Sequence, residues 1–357
     1  MSEPVRYSSA VETPEADEDK TFAELRETLL KIANTTWHDE QEPLRAVHAK
    51  GHGLLKATLT VINNLPEPLA QGLFALPGPF DVLMRFSTSP GDLLPDSVST
   101  PRGLAIKVLD VPGERLPGGY GDGAQDFLLV NGKAFGAPNP KKFLGNLKLL
   151  AGTTDKAEGL KVALSAALQA TEELVESLGG ESGLLNSLGG HPPFHPLGES
   201  YFSQVPLRHG GYIAKLGLVP VSPELKALEK IKLDTGAEFD ALRQAIRNHF
   251  MVHGGVWELQ AQLNTDLEKM PIENAQVAWP EDQSPYVTIA RIEAKPQESW
   301  SDELRQRVDI AAAFSPWNGI VAHQPLGGVM RARRTVYPAL AGLRLERSGC
   351  PFHHAAE

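Results

Sequence analysis

Arg45-Ala46-Val47-His48-Ala49-Lys50-Gly51-His52-Gly53 runs straight into Leu54, and there the texture of the chain changes. Ala57-Thr58-Leu59-Thr60-Val61-Ile62 alternates and is rich in β-branched residues, which reads as a strand. His48 is thus preceded by an arginine three residues back and followed by a glycine-rich turn into a sheet element. His48 and His52 are four apart, a zinc-like spacing. The glutamate of a zinc-protease helix is missing and Gly51 sits between them, so that reading fails.

Outward from this segment the strands continue. Val82-Leu83-Met84-Arg85-Phe86-Ser87 and Gly103-Leu104-Ala105-Ile106-Lys107-Val108-Leu109 are separated by a Pro/Gly/Asp/Ser loop. Asp126-Phe127-Leu128-Leu129-Val130 is a fourth strand, ended by the turn signal Asn131-Gly132. Tyr212 to Val219 and Pro285 to Ala294 supply two more. Val256 to Leu263 puts Trp257, Leu259, Ala261 and Leu263 on one face and Glu258, Gln260 and Gln262 on the other, where they face solvent or a pocket. Thr21 and Glu24 have capping-box spacing before a helical period in Phe22, Leu25, Leu29 and Ile32, which predicts a helix over about 21–34. Thr235 and Glu238 open a second over about 237–250, and Leu160 to Leu178 has helical spacing. Gly179 to Pro196 is a long Gly/Pro/His loop of the kind that is often functional. Residues 1–20 read as a mobile arm. At least seven strands, in groups of four and three, imply an α+β fold with a mainly antiparallel sheet closing into a barrel. The chain divides into an N-terminal arm and short helix over 1–40 and one barrel domain over 41–357.

With 357 residues there is room for a sizeable core and a large cofactor pocket. A net charge of −10 argues against nucleic acid or an anionic membrane as partner. The one cysteine, Cys350, excludes an intramolecular disulfide and a CxxCH covalent haem site. The acidic, polar N-terminus and the lack of a long apolar run predict a cytoplasmic protein with no membrane insertion. Gly119-Tyr120-Gly121-Asp122-Gly123 precedes a strand instead of linking a strand to a helix, so it is not a dinucleotide loop. His191 and His195 belong to the long loop. The tail Cys350-Pro351-Phe352-His353-His354 reads as a frayed end.

Near the C-terminus stands Met330-Arg331-Ala332-Arg333-Arg334-Thr335-Val336-Tyr337-Pro338. On a helix Arg333 and Tyr337 share a face, and a guanidinium there stabilises a phenolate. Tyrosine ordinarily titrates near ~10, so a phenolate needs a cation, a metal or both, and ferric haem is one setting for a Tyr ligand. Pro338 follows directly, so an unbroken helix onward to Arg344 is not assured.

Together these segments resemble the haem catalases. The Arg45 to Gly53 run is similar to their distal motif. Met84-Arg85-Phe86-Ser87-Thr88, Pro101-Arg102-Gly103-Leu104-Ala105-Ile106-Lys107-Val108, Asp126 to Asn131, Trp257, Glu273 to Pro280 and Phe314-Ser315-Pro316-Trp317-Asn318 follow in family order. The Arg333 to Pro338 run looks like the proximal motif. The resemblance covers roughly residues 41–347. It implies haem b, held non-covalently and buried in the barrel. Tyr337 would be the axial iron ligand and Arg333 its partner. His48 would be the distal acid/base, with a pKa near the working pH, supported by Ser87. Asn131 would orient the peroxide and Val47 narrow the channel. Arg45, Arg85 and Arg344 would pair with the propionates, and Phe143 would stack on the ring.

The implied activity is breakdown of hydrogen peroxide and organic hydroperoxides, with an organic electron donor. A homodimer is compatible with the resemblance, and nothing points to NADPH. The chain ends about ten residues after Arg344, which implies the small catalase-related peroxidase branch without a C-terminal helical domain, and a shorter channel. Residues 155–210 look more like small catalase-related peroxidases and fatty-acid hydroperoxide enzymes of the allene oxide synthase type. In the latter Thr commonly precedes the distal His. Val47 in that place favours peroxide reduction over isomerase or lyase chemistry. A haem-binding or sensing protein with weak turnover is the third reading.

Overall fold

The computed structural model describes residues 3–76, 78–89, 91, 93–151 and 191–349. The helix expected at Leu160–Leu178, the Gly179–Gly190 part of the long loop and the Cys350–His354 tail lie outside them.

Nine strands form one antiparallel sheet: β1 (Lys50–Val61), β2 (Phe80–Thr88), β3 (Arg102–Val108), β4 (Gln125–Val130), β5 (Tyr201–Phe202), β6 (Leu207–His209), β7 (Tyr212–Pro220), β8 (Gly255–Leu263) and β9 (Val287–Ala294). The order β5-β4-β3-β2-β1-β9-β8-β7 closes on itself through β5–β7 pairing, with β6 beside β5 on the same side of β7. Closure satisfies the edge hydrogen bonds of an open sheet. Alternate residues fill the interior: Leu55 and Leu59 of β1, Met84 and Phe86 of β2, Leu104 and Ile106 of β3, and Trp257 and Leu259 of β8 share one core. Truncating one of these leucines to alanine costs roughly 2–5 kcal/mol.

The seven strands read from the alternation are present, and β5 and β6 are additional. β1 begins seven residues earlier than the alternation shows, because a bulge leaves His52 unpaired: Gly51 faces Ser87 and Gly53 faces Phe86. On β8 the polar row is not simply solvated. Gln262 is buried and donates to Trp279 O and Ser284 O, while Glu258 bonds Thr288 and Arg291.

Among the described residues four longer helices surround the barrel: α1 (Glu18–Glu40), α2 (Pro140–Ala151), α3 (Ala241–Phe250) and α4 (Gly328–Ser348). Both capping-box readings are corrected. The N-caps are Asp17 for α1 and Asp240 for α3, so α1 extends beyond 21–34 at both ends and α3 starts four residues after 237. Phe22, Leu25 and Leu29 of α1 pack with Leu144 and Leu147 of α2 and Ala332 and Val336 of α4. Among the described residues no helix is long and apolar enough to cross a membrane.

The N-terminal arm is docked along residues 3–17, not loose. Val5 N–H donates to Asn264 O and Tyr7 N–H to Gly211 O. Arg331 holds Glu12 at 2.5 Å, Glu18 at 2.6 Å and Glu273 at 3.0 Å. Glu12 and Glu273 also accept the N–H groups of Gly327 and Gly328, placing negative charge at the positive end of α4. Beyond it, α4 runs through Pro338 without a break. Packing on both sides of the proline, at Ala332 and Val336 before it and Ala341 and Arg344 after it, offsets the ~3 kcal/mol that an interior proline costs a helix.

Candidate active site

His48 sits two residues ahead of β1 with φ +54°, a left-handed backbone that a non-glycine residue adopts at a cost of about 1–3 kcal/mol. Three neighbours hold it there. Arg85 Nη2 donates to the His48 carbonyl at 3.0 Å. Ser87 Oγ lies 3.4 Å from His48 Nδ1. Gly103 leaves room for the ring, since a Cβ there would come within 2.7 Å of it. β2 therefore supplies Arg85 and Ser87 on two of its positions, and β3 supplies the gap. Burial, then the charges of Arg85, Arg333 and Arg45, pull the His48 pKa down to about 3. The imidazole is a neutral base at neutral pH, where the resemblance implied a pKa near the working pH.

Behind His48 the three arginines converge. Arg85 Nε meets Asp309 Oδ1 at 2.5 Å. Arg45 donates to the carbonyls of Asp309 and Ala312 at 2.7 and 3.0 Å, and Arg344 to those of Ile310 and Ala312 at 2.8 and 3.0 Å. The six-residue π-helical turn Arg305–Ile310 presents the Asp309 and Ile310 acceptors, and Ala312 follows just beyond it. Burial works against charge on Asp309, and Arg85, Arg45 and Arg344 outweigh it and keep the carboxyl below its ordinary value. Burial, then Arg344 and Arg85, lowers the Arg45 guanidinium well below its ordinary value. Arg45 Nε is buried with no partner.

Arg333 and Tyr337 share a face of α4, with the Arg333 guanidinium carbon 6.0 Å from the Tyr337 ring centroid and 5.7 Å from that of Phe135. Its charge also acts on His48. Asn131 has both ends of its amide engaged: Oδ1 accepts from Arg102 N–H and Nδ2 donates to Glu199, each at 2.9 Å. Phe143 lies on α2, half-buried, 5.1 Å from the Phe135 ring. Val47 is 38% exposed. His52, four residues from His48, turns into the core and bonds Thr88 Oγ1 at 2.9 Å.

Sequence reasoning missed Asp309, Glu199 and Phe135. Asp309 lies just before the Phe314 to Asn318 motif, which was the nearest signal. Three guanidiniums against one carboxylate, one with an unpartnered buried nitrogen, suit a ligand carrying two negative charges. Haem b has two carboxylates on one edge, so the donor set fits it: Arg45, Arg85 and Arg344 would hold that edge, bidentate pairing being what guanidinium offers a carboxylate. Tyr337 would supply the oxygen ligand such a group needs, and His48 a nitrogen base.

No protein-family model matches the chain, and no curated protein matches it by sequence. Solved structures do match its fold. A fungal catalase has TM-score 0.61 at 19% identity, covering 89% of this chain and 63% of that one. Catalase A from Saccharomyces cerevisiae has TM-score 0.60 at 17% identity, with 87% and 62% covered. A bacterial catalase has TM-score 0.60 at 15% identity, with 96% and 64% covered. The chain has the catalase-like α+β barrel that its motifs implied, and it spans a little under two thirds of the length of these catalases.

Proposed function

We propose that this chain is a haem-dependent enzyme that decomposes hydroperoxides, acting as a catalase or peroxidase on hydrogen peroxide and organic hydroperoxides. The observation that carries the reading is the convergence of Arg45, Arg85 and Arg344 on the Asp309–Ala312 segment, where Arg85 pairs with the Asp309 carboxylate and Arg45 and Arg344 bond backbone carbonyls. Bound haem b would supply the iron and the electrons that break the O–O bond. Tyr337 would ligate it as a phenolate, with the Arg333 guanidinium beside its ring on the same helix face.

His48 is unprotonated, so it takes the proton of an arriving peroxide and returns it to the departing oxygen. Positioned proton transfer of this kind contributes typically ~10²–10⁴-fold. Ser87 and the Arg85 bond to the His48 carbonyl fix the ring while it does so. Asn131 Nδ2 gives one hydrogen to Glu199, which leaves its second for the peroxide.

The test is to load the full chain with haem and compare oxygen release from hydrogen peroxide with the products formed from a lipid hydroperoxide. Oxygen release, or reduction of the lipid hydroperoxide to its alcohol with an organic donor, supports the reading. Rearranged lipid products without oxygen release would assign an isomerase or lyase instead. Full haem loading with no turnover of either would leave a haem-binding or sensing protein.

A further inference from the structure

Arg102, the first residue of β3, closes a circuit of hydrogen bonds with Asn131 and Glu199. Its N–H donates to Asn131 Oδ1 at 2.9 Å. Asn131 Nδ2 donates to Glu199 Oε1 at 2.9 Å, and Arg102 Nη1 donates to the same oxygen at 3.2 Å. The backbones are joined as well, Asn131 N–H to Arg102 O at 3.0 Å. Arg102 is buried, and Ser99 Oγ and Pro192 O anchor its other nitrogen at 3.3 and 3.0 Å. Gly103, the next residue of β3, is the one that leaves room for the His48 ring. The circuit therefore stands one residue from the seat of the histidine. Glu199 Oε2 is buried and makes no hydrogen bond, so the side-chain bonds of Glu199 run through the oxygen shared by Asn131 and Arg102.

An asparagine amide can turn over and present either its oxygen or its nitrogen to a given neighbour. A backbone N–H and a guanidinium only donate. The Asn131 atom facing Arg102 N–H is therefore the oxygen. Glu199 Oε1 accepts from Arg102, so the Asn131 atom facing it is the nitrogen. The reversed amide would set oxygen against oxygen and N–H against N–H. We propose that Glu199 is a positioning residue for the hydroperoxide reaction: it holds the Asn131 amide in one orientation, with one N–H committed and one left to donate. On the hydroperoxidase reading, which this step rests on, that second N–H meets the peroxide.

Heteronuclear NMR of the full haem-free chain reads the Asn131 side-chain amide, with Asn131→Asp identifying its signal. The two amide protons should be widely separated, the one on Glu199 shifted downfield. Glu199→Gln keeps an acceptor oxygen without the charge and should move that proton upfield. Glu199→Met removes the acceptor and should collapse the separation. Asn131 shifts unchanged in Glu199→Gln overturn the proposal, and that variant decides alone if Glu199→Met does not melt like the parent. In the haem-loaded chain Glu199→Met should slow hydrogen peroxide breakdown by roughly 10–100-fold, the weight of one hydrogen bond to a charged group, with haem affinity unchanged. In an Asn131→Ala background the same substitution should change the rate by less than about twofold, because two residues acting through one group are not additive. An equal loss in both backgrounds makes Glu199 structural and overturns the positioning role. The amide signature without turnover in the parent upholds the hold of Glu199 on Asn131 and removes the hydroperoxidase reading instead.

Discussion

Arg85 Nε and Asp309 Oδ1 meet at 2.5 Å, across 224 residues of sequence, with both side chains buried. Asp309 is the carboxylate on which Arg45 and Arg344 also act. Removing one member of a buried pair leaves the other charge uncompensated, at about 3–5 kcal/mol. Asp309→Asn is therefore expected to lower the unfolding free energy of the haem-free chain by that amount in urea titrations. A dianionic ligand at the arginines would restore part of the loss by binding only the native state. Equal stability of parent and Asp309→Asn would show that the cluster is not energetically coupled.

Tyr337 is half-buried on α4, with the Arg333 guanidinium beside its ring. Tyr337→Phe keeps the ring, and a change confined to one partly exposed hydroxyl is worth within about 0.5 kcal/mol. The variant should melt like the parent. With haem added, it should lose the phenolate-ligated absorption spectrum and most peroxide breakdown. An identical spectrum in the two proteins would end the assignment of Tyr337 as the iron ligand.

His48 is half-buried and faces three cations, and its pKa is drawn down to about 3. In an NMR titration of the haem-free chain the His48 ring signals should stay unchanged from pH 8 to pH 5, where an ordinary histidine passes its midpoint near ~6.5. A midpoint there would contradict the burial and charge argument. His48→Ala should retain haem and lose peroxide cleavage by roughly 10²–10⁴-fold; a variant that cleaves at the parental rate would remove the acid/base role.

Much of the barrel is legible because period-two alternation is a local property. Strands β2, β3, β4, β7 and β8 fall within two residues of the sequence reading. β5 and β6, of two and three residues, are too short to show a period. The helix starts were misplaced because Thr21–Glu24 and Thr235–Glu238 carry capping-box spacing, while Asp17 and Asp240 take the cap. In the site, Arg333 and Tyr337 are legible as neighbours four apart on a helix. The acid for Arg85 is not, since nothing within Val308-Asp309-Ile310 says that it meets an arginine on a distant strand. The partners of Asn131 are hidden for the same reason, because Glu199 is 68 residues away.

His209 and His323 are buried in the barrel core with ring centroids 5.7 Å apart, each in contact with the Phe74 ring. Leu73 N–H donates to His323 Nε2, which therefore acts as an acceptor. Burial lowers His209 to about 4 despite its bond to Leu69 O, and burial and His209 lower His323 to about 3. Above pH ~6.5 both rings are neutral in the folded and unfolded chain and contribute no pH dependence. From there down to pH 4 the unfolded chain takes up protons that the core refuses. Stability is lost as pH falls, at about 1.4 kcal/mol per pH unit for each histidine. Urea titrations at pH 7, 6 and 5 should show this fall in the parent. A His209→Gln, His323→Gln double variant should show a slope shallower by about two protons, whatever its absolute stability. An unchanged slope would place the acid sensitivity elsewhere.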